Sequence, residues 1–519
     1  MLVGLALFAA PHPIHRWLLD SFIFLDGGWR ILNGQRPYLD FPSALGPVIF
    51  QLTAFGMVLS GGGAVSIDLG LISAGAVIGV WAWFLFRGRM GRSTRLLLAL
   101  FASLFAFSPH AIGSRPSVLT HASIYNRLGY SLLTLVVIEV FRPTNRPDRR
   151  AELAGGVSSG IACSLLFFTK PSFGLIAAAF LAGSYVFVDR RDTRRTLGLL
   201  GGWAVPTMLM LAYLRFELGT LARTILRVAG NRIQPMGDPR LDVGLWPYVK
   251  HAADHLGSFA GLVLLGLVVS SLPRPARVRH CNDWWPAIAA VAVCAAECLL
   301  VMTNGTQYSV PLVGVFAWVL ASEIQPVSWS PAGGGLHRYT VLSAVSLLGA
   351  LLLILPDFGG DLVSSVYAAS QSVSSAPAET CFAPRLLRGL KAREVPADWD
   401  EPSTDRYIRQ VNEGADLLQR SSTRSESVFT LDYVNPFSYA LERRPAVGGG
   451  PYTLSHIFNS GNRPSAEWFL GQTDILMVPK DGPYPKRVAW LDGMFGPFIR
   501  QRFVLAGESP SWRMYRRCW

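Results

Sequence analysis

The sequence predicts an α-helical integral membrane protein of about eleven spans that ends in a small α/β or α+β domain outside the membrane. Three observations predict it. Half of the residues are hydrophobic, only 16% are charged and the mean hydropathy is +0.33, too apolar for an ordinary soluble chain. Apolar runs close to the ~20 residues that a helix needs to cross hydrocarbon recur from Leu69 to Leu355. Beyond them the composition turns polar, with Pro, Ser and charge throughout, over a length that suits one small domain.

The elements follow in order. Met1 to Ala10 is apolar but is stopped by Pro11 and Pro13, so the first span is either kinked or already under way where the chain begins. Asp20 to Pro47 then forms a polar outer segment, with Asp20, Asp26 and Asp40 at a membrane edge. Gly46 to Ser60 reads as an interfacial or re-entrant helix, turned by Gly61 to Gly63 into the first full span. Ten spans follow: Leu69–Phe86, Leu96–Ile112, His121–Phe141, Leu153–Thr169, Ser172–Val188, Leu197–Leu214, Leu256–Leu272, Trp284–Met302, Tyr308–Ala321 and Tyr339–Leu355. Residues 1–356 thus form the membrane domain, with outer loops at 20–63 and 215–255; 357–380 is a Ser- and Ala-rich linker and 381–519 the soluble domain.

Arginines set the orientation, because positive residues in short loops stay cytoplasmic. Arg87 to Arg95, Arg142 to Arg150, Arg190 to Arg195 and Arg274 to Arg279 mark four alternate loops. The loops around Arg115, Lys170 and Asn304, the first polar segment and the C-terminal domain therefore face outward: a multi-pass protein of the inner membrane with a periplasmic C-terminal domain. The net charge of +13 owes much to this topology and does not argue for nucleic acid. Glu217 to Ala229 is amphipathic, with Arg223 and Arg227 opposite the apolar face, and fits a helix lying in the outer interface that anchors to headgroups or binds ligand.

In the soluble domain, Tyr407, Ile408, Val411, Ala415 and Leu418 share one helical face, and Ser427–Tyr433, Asp474–Pro479 and the run near Phe503 read as strands. Cys381 and Cys518 bracket it, and a disulfide between them is expected in an oxidising compartment. No GxxxxGK[ST], HExxH, CxxC or GxGxxG motif is present, and the cytoplasmic loops are too short for a nucleotide domain. Any chemistry must use a substrate that reaches the outer face.

Ionisable groups clustered at one membrane edge are functional-site candidates. Asp20 leads. Lys170, in FFTKPSFG, sits at the outer break between two apolar spans; Asn126 and Arg127, with Arg115 and His121 before them, face the same compartment; Glu297 lies within a span; Gln307 and Tyr308 follow Asn304.

The phrase from Asp20 through Trp29-Arg30, Gly34-Gln35 and Pro37-Tyr38-Leu39-Asp40-Phe41 resembles the first outer loop of multi-spanning GT-C glycosyltransferases, in the bacterial polyprenyl-phosphate-sugar branch that holds dolichyl-phosphate-mannose mannosyltransferase-like and ArnT-like enzymes. Ser21 stands where that family's phrase has a second acidic residue. The resemblance implies an inverting hexosyl- or pentosyltransferase. It would move sugar from a polyprenyl-phosphate donor to an envelope glycan, lipid or protein acceptor, with Asp20 as general base. Asp26, Asp40, Lys170, Asn126, Arg127, Arg227, Glu297 and Tyr308 would bind substrates. The resemblance fixes no cofactor: a divalent cation, magnesium or manganese, is one option, and Ser21 argues against any metal site that needs two adjacent carboxylates. The rival reading is a non-enzymatic carrier or an assembly scaffold for lipid-linked sugars.

Overall fold

The computed structural model describes residues 12–142, 149–187, 192–233, 246–271, 284–304, 307–321, 336–373, 381–393 and 403–518. The predicted first span lies outside them, as does the loop from Arg274 to Cys281. Each of the ten other predicted spans is a helix. Six helices are long and apolar enough to cross a membrane, and four shorter apolar ones accompany them.

The chain opens with α1 (Leu18–Leu32) and α2 (Pro47–Ser60), followed by α3 (Ser66–Leu85), α4 (Arg92–Phe107), α5 (Ile124–Phe141), α6 (Arg149–Thr169), α7 (Pro171–Phe187) and α8 (Thr193–Tyr213). The amphipathic stretch forms α9 (Leu218–Ile233), and α10 (Trp246–Ala253), α11 (Leu256–Ser271), α12 (Trp285–Met302), α13 (Pro311–Ala321) and α14 (Leu336–Val373) complete the helical part. The polar segment from Asp20 is thus helical as far as Leu32 and a loop from Asn33 to Gly46. Its Gly27-Gly28 pair lies inside the helix, where a Cβ on Gly27 would stand 2.2 Å from the Phe50 ring and one on Gly28 2.9 Å from Thr53. The two glycines let α1 and α2 touch. Residues 357–373, predicted as linker, continue α14 straight through Pro356.

α5 forms the middle of the bundle: the side chains along it are nearly all buried, whereas α8 and α14 leave most of theirs open to lipid. At one end the arginine loops converge on Glu139 of α5, which binds Arg195 (Nη2–Oε2 2.8 Å) and Arg89 (3.5 Å), while Arg89 also donates to the Arg142 carbonyl. Ser159 of α6 donates to the same carboxylate at 3.0 Å, so α5, α6, α8 and the loop between α3 and α4 meet on it. At the opposite end the predicted outer loops meet one another: Tyr308 N donates to Ile112 O, His15 N to Leu119 O and Gly46 N to Thr169 O.

The Gly46 contact is close. Its φ and ψ suit any residue, yet a Cβ there would lie 1.8 Å from the Phe168 carbonyl oxygen. Gly46→Ala is therefore expected to destabilise the protein by about 1–3 kcal/mol through overpacking. A thermal melt of the purified variant checks this, and an unchanged melting curve would contradict the packing.

The C-terminal domain packs on that same end. Its helix α15 (Thr404–Ser421) buries the predicted face of Tyr407, Ile408, Val411, Ala415 and Leu418. The sheet runs β1 (Val428–Thr430), β2 (Ile475–Pro479), β3 (Phe503–Glu508) and β4 (Trp512–Arg517) in the order β1-β2-β4-β3, with β1 and β2 parallel and the other pairings antiparallel. Short helices α16 (Phe437–Ala440) and α17 (Ala466–Leu470) and the longer α18 (Pro485–Arg502) fill the connections.

The expected disulfide does not form: Cys381 and Cys518 are not joined. The Cys381 carbonyl is held by Asn412 of α15, whose neighbour Glu413 binds Ser511 before β4, whereas Cys518 follows the far end of that strand. The six residues of β4 at ~3.3 Å each separate those ends, well past the ~7 Å that a disulfide tolerates between Cα atoms.

Candidate functional site

Asp20 lies in the first turn of α1, where the carboxylate is favoured by the helix dipole. It is half-buried, and its Oδ1 accepts a hydrogen bond from Tyr433 Oη at 2.9 Å. Tyr433 comes from the loop after β1, so the C-terminal domain supplies the group that orients the carboxylate. Behind it stand Tyr484, edge-on at 5.4 Å, and Arg487, whose guanidinium lies 5.4 Å from the Tyr433 ring. Burial holds the Tyr433 phenol protonated, well above its usual range, and raises the neighbouring Asp432 to about 7. Tyr433, Tyr484, Arg487 and Asp432 are absent from the sequence-based candidates. The contact of Tyr433 with Asp20, on which the group hangs, spans more than four hundred residues, which no local pattern encodes.

Lys170 joins α6 to α7. It is buried, and its Nζ reaches Asn126 Oδ1 at 3.4 Å and makes a shorter bond to Asn304 Oδ1. The rings of Tyr125 and Phe173 lie 5.3 and 5.9 Å from the ammonium. Lys170 and Asn126 are thus brought together as expected, and Asn304 completes the group.

An apolar groove lies further down the bundle, and none of Lys170, Asn126 and Asn304 lines it. The cavity, of about 300 Å³, lies between α7 (Ile176, Ala179, Phe180) and α12 (Trp285, Ala292, Leu299), with Phe141 of α5 at its far end. Ile176 is six residues along α7 from Lys170 and Leu299 five before Asn304, roughly 9 and 7.5 Å at 1.5 Å per residue. The same helices that wall the groove therefore hold the lysine and asparagines at one end of it. A second cation stands at this end of the bundle: Arg36 stacks over Tyr213 at 5.8 Å, and its Nη1 is buried with no hydrogen-bond partner among the described residues.

The other candidates have structural partners. Asp26 is fully buried in an ion pair with Arg30 at 2.7 Å and accepts weakly from Asn435. Arg127 pairs with Asp361 of α14 at 2.7 Å and donates to the His110 carbonyl. Glu297 accepts from Tyr130 Oη at 2.7 Å and from Leu312 N at the start of α13. Asp40 closes its own turn by accepting from Arg36 N. These four are engaged in holding the fold. Tyr308 is partly exposed and meets His251 edge-on, and half-buried Arg227 lies on α9.

No family model matches the chain, and no curated protein does. Among solved structures it is similar to ArnT from Cupriavidus metallidurans in the apo state, at 13% identity and a TM-score of 0.42. It is similar also to that ArnT bound to undecaprenyl phosphate, at 11% identity and 0.46. Each alignment covers 99% of this chain and 96% of the other. Similarity at this level assigns no residue a role.

Proposed function

We propose that the protein is an inverting membrane glycosyltransferase that moves a sugar from a polyprenyl-phosphate donor to an acceptor hydroxyl or amine at the outer face of the cytoplasmic membrane. The observation that carries this reading is an apolar groove walled by α7 and α12, with Lys170 immediately before α7 and Asn304 just after α12. Such a ligand has an isoprenoid tail that needs an apolar cleft within the membrane and a phosphate that needs a cation at the cleft's mouth. A soluble nucleotide sugar needs neither.

The chemistry divides between two groups. Asp20, oriented by Tyr433, takes the proton of the acceptor as its oxygen or nitrogen bonds to the anomeric carbon. The bond from that carbon to the donor phosphate breaks on the opposite face, and the electron pair leaves with the polyprenyl phosphate. Lys170 meets the charge that grows on the departing oxygen, in a setting of low dielectric where a fixed cation counts for more than in water. The acceptor enters from the side of the C-terminal domain, whose Tyr433, Tyr484 and Arg487 wall the approach to Asp20.

A photoreactive polyprenyl phosphate tests the reading in native membranes. Labelled peptides are expected from α7 and α12, with competition by unlabelled polyprenyl phosphate. Labelling confined to other helices would remove the groove from the argument. Labelling of α7 and α12 without any release of free polyprenyl phosphate from a sugar-charged donor is the result that a non-enzymatic carrier would give.

A further inference from the structure

We propose that His12, Asp68 and His121 form a zinc site that fastens the segment before α1 to the membrane domain. His12 lies in the extended stretch ahead of α1, Asp68 in the first turn of α3 and His121 in the loop that precedes α5. All three are buried, and their ligating atoms lie within 4.8 Å of one another. His121 Nε2 is 3.2 Å from Asp68 Oδ1, and His12 Nδ1 is 3.9 Å from Asp68 Oδ2. Four-coordinate zinc, with bonds of ~2.0–2.1 Å, sets its ligands about 3.3–3.4 Å apart, so these spacings need only small adjustment.

The second observation is His12 itself. Its side chain is enclosed, yet neither ring nitrogen has a hydrogen-bond partner among the described residues, and 3.9 Å is too long for one to Asp68. A buried imidazole without partners costs free energy that a metal bond would recover. The other ring supports the same arrangement. His121 Nδ1 lies 2.9 Å from Ser21 Oγ, a contact that orients the ring and leaves Nε2 facing Asp68. Two imidazoles and one carboxylate suit zinc, whereas magnesium prefers an all-oxygen shell with retained water. The fourth position is left for a water.

The site would have a mechanical task. The stretch from His12 bridges two parts of the fold: Ile14 N donates to Lys391 O and Arg393 N to Ile14 O, while His15 N donates to Leu119 O. Zinc would hold the start of that strap where α3 and the loop before α5 meet, with Ser21, and hence the turn bearing Asp20, in its outer shell. The inference stands apart from the proposed sugar transfer.

The test uses the full-length protein purified in detergent without added metal. Elemental analysis is expected to find zinc in proportion to protein. After treatment with a chelator, zinc chloride alone is expected to raise the melting temperature until one ion per chain is bound. His12→Ala and His121→Ala are each expected to abolish stoichiometric uptake, and Ser21→Ala to weaken it by about ten- to a hundredfold. Should either histidine variant fail to fold, cobalt chloride added to the chelated parent gives an independent readout: intense visible bands of a four-coordinate site are expected. A parent that neither retains nor takes up zinc, or cobalt spectra of a six-coordinate ion, would leave only a buried Asp68–His121–Ser21 hydrogen-bond chain and overturn the proposal. Uptake that persists unchanged in both histidine variants would do the same.

Discussion

Asp20→Asn is expected to lower sugar transfer by about a hundred- to ten-thousandfold, the range a general base contributes, while leaving expression and melting temperature close to the parent. Asparagine keeps an oxygen that accepts from Tyr433, so the contact with the C-terminal domain survives. What is lost is the ability to take a proton. Initial rates in membranes with a sugar-charged donor check it, and near-parental turnover would remove Asp20 from the role. Asp26→Asn supplies the contrast. That change strands the buried Arg30 guanidinium, and breaking such a pair costs about 3–5 kcal/mol, so its effect is expected in the melting curve first.

Lys170→Met is expected to weaken donor binding or turnover at least about tenfold, the factor that ~1.4 kcal/mol represents. The size follows from the setting. A unit charge 4 Å from another is worth about 1 kcal/mol in water but about 4 kcal/mol at an effective dielectric near 20. Methionine preserves the unbranched apolar stem, so packing against Tyr125 and Phe173 persists while the ammonium is removed. Arg227→Gln, on an interfacial helix, is expected to change rates less than about twofold if the arginine only touches headgroups. Donor binding titrations on both variants decide between them. A parental Lys170→Met beside an impaired Arg227→Gln would move the phosphate site to α9.

Sequence patterns of period 3.6 and long apolar runs are local, and the helices that depend on them were legible residue by residue. Lys170 was legible for the same reason: a lysine between two apolar spans has few places to go. Contacts set by close approach were not. Nothing local in Gly27-Gly28 announces the close approach of Phe50 and Thr53, and Pro356 reads as the end of a span although α14 continues for seventeen residues to Val373. Asp26, Arg127 and Glu297 looked like exposed or functional charges because their partners, Arg30 apart, come from distant elements: Asn435, Asp361 and Tyr130. The cysteines bracket the domain in sequence, yet strand length keeps them apart in space. Tyr433, and Arg487 behind it, lay beyond reach altogether, since Tyr433's partner Asp20 belongs to the other end of the chain.

The seam between α1 and the C-terminal domain divides its labour unevenly. Trp29 Nε1 donates to the Arg443 carbonyl, Arg30 Nη1 to that of Ala446 and Gln35 Nε2 to that of Pro445. In these three bonds the donor is a side chain of the first helix or its exit and the acceptor is backbone, whereas Tyr433 and Asn435 donate the other way, to the Asp20 and Asp26 carboxylates. A backbone carbonyl is present whatever residue carries it, so in those three bonds one side of the joint is bound to particular letters and the other is not. Within that stretch only the exposed Arg444 is free to change, because Arg443 is buried and donates to the Thr423 and Leu418 carbonyls, while Trp29, Arg30 and Gln35 are held by the bonds they donate. The stretch from Trp29 to Gln35 is, on this view, a latch rather than a reaction centre, and mutational drift should erode the two faces of the latch at different speeds.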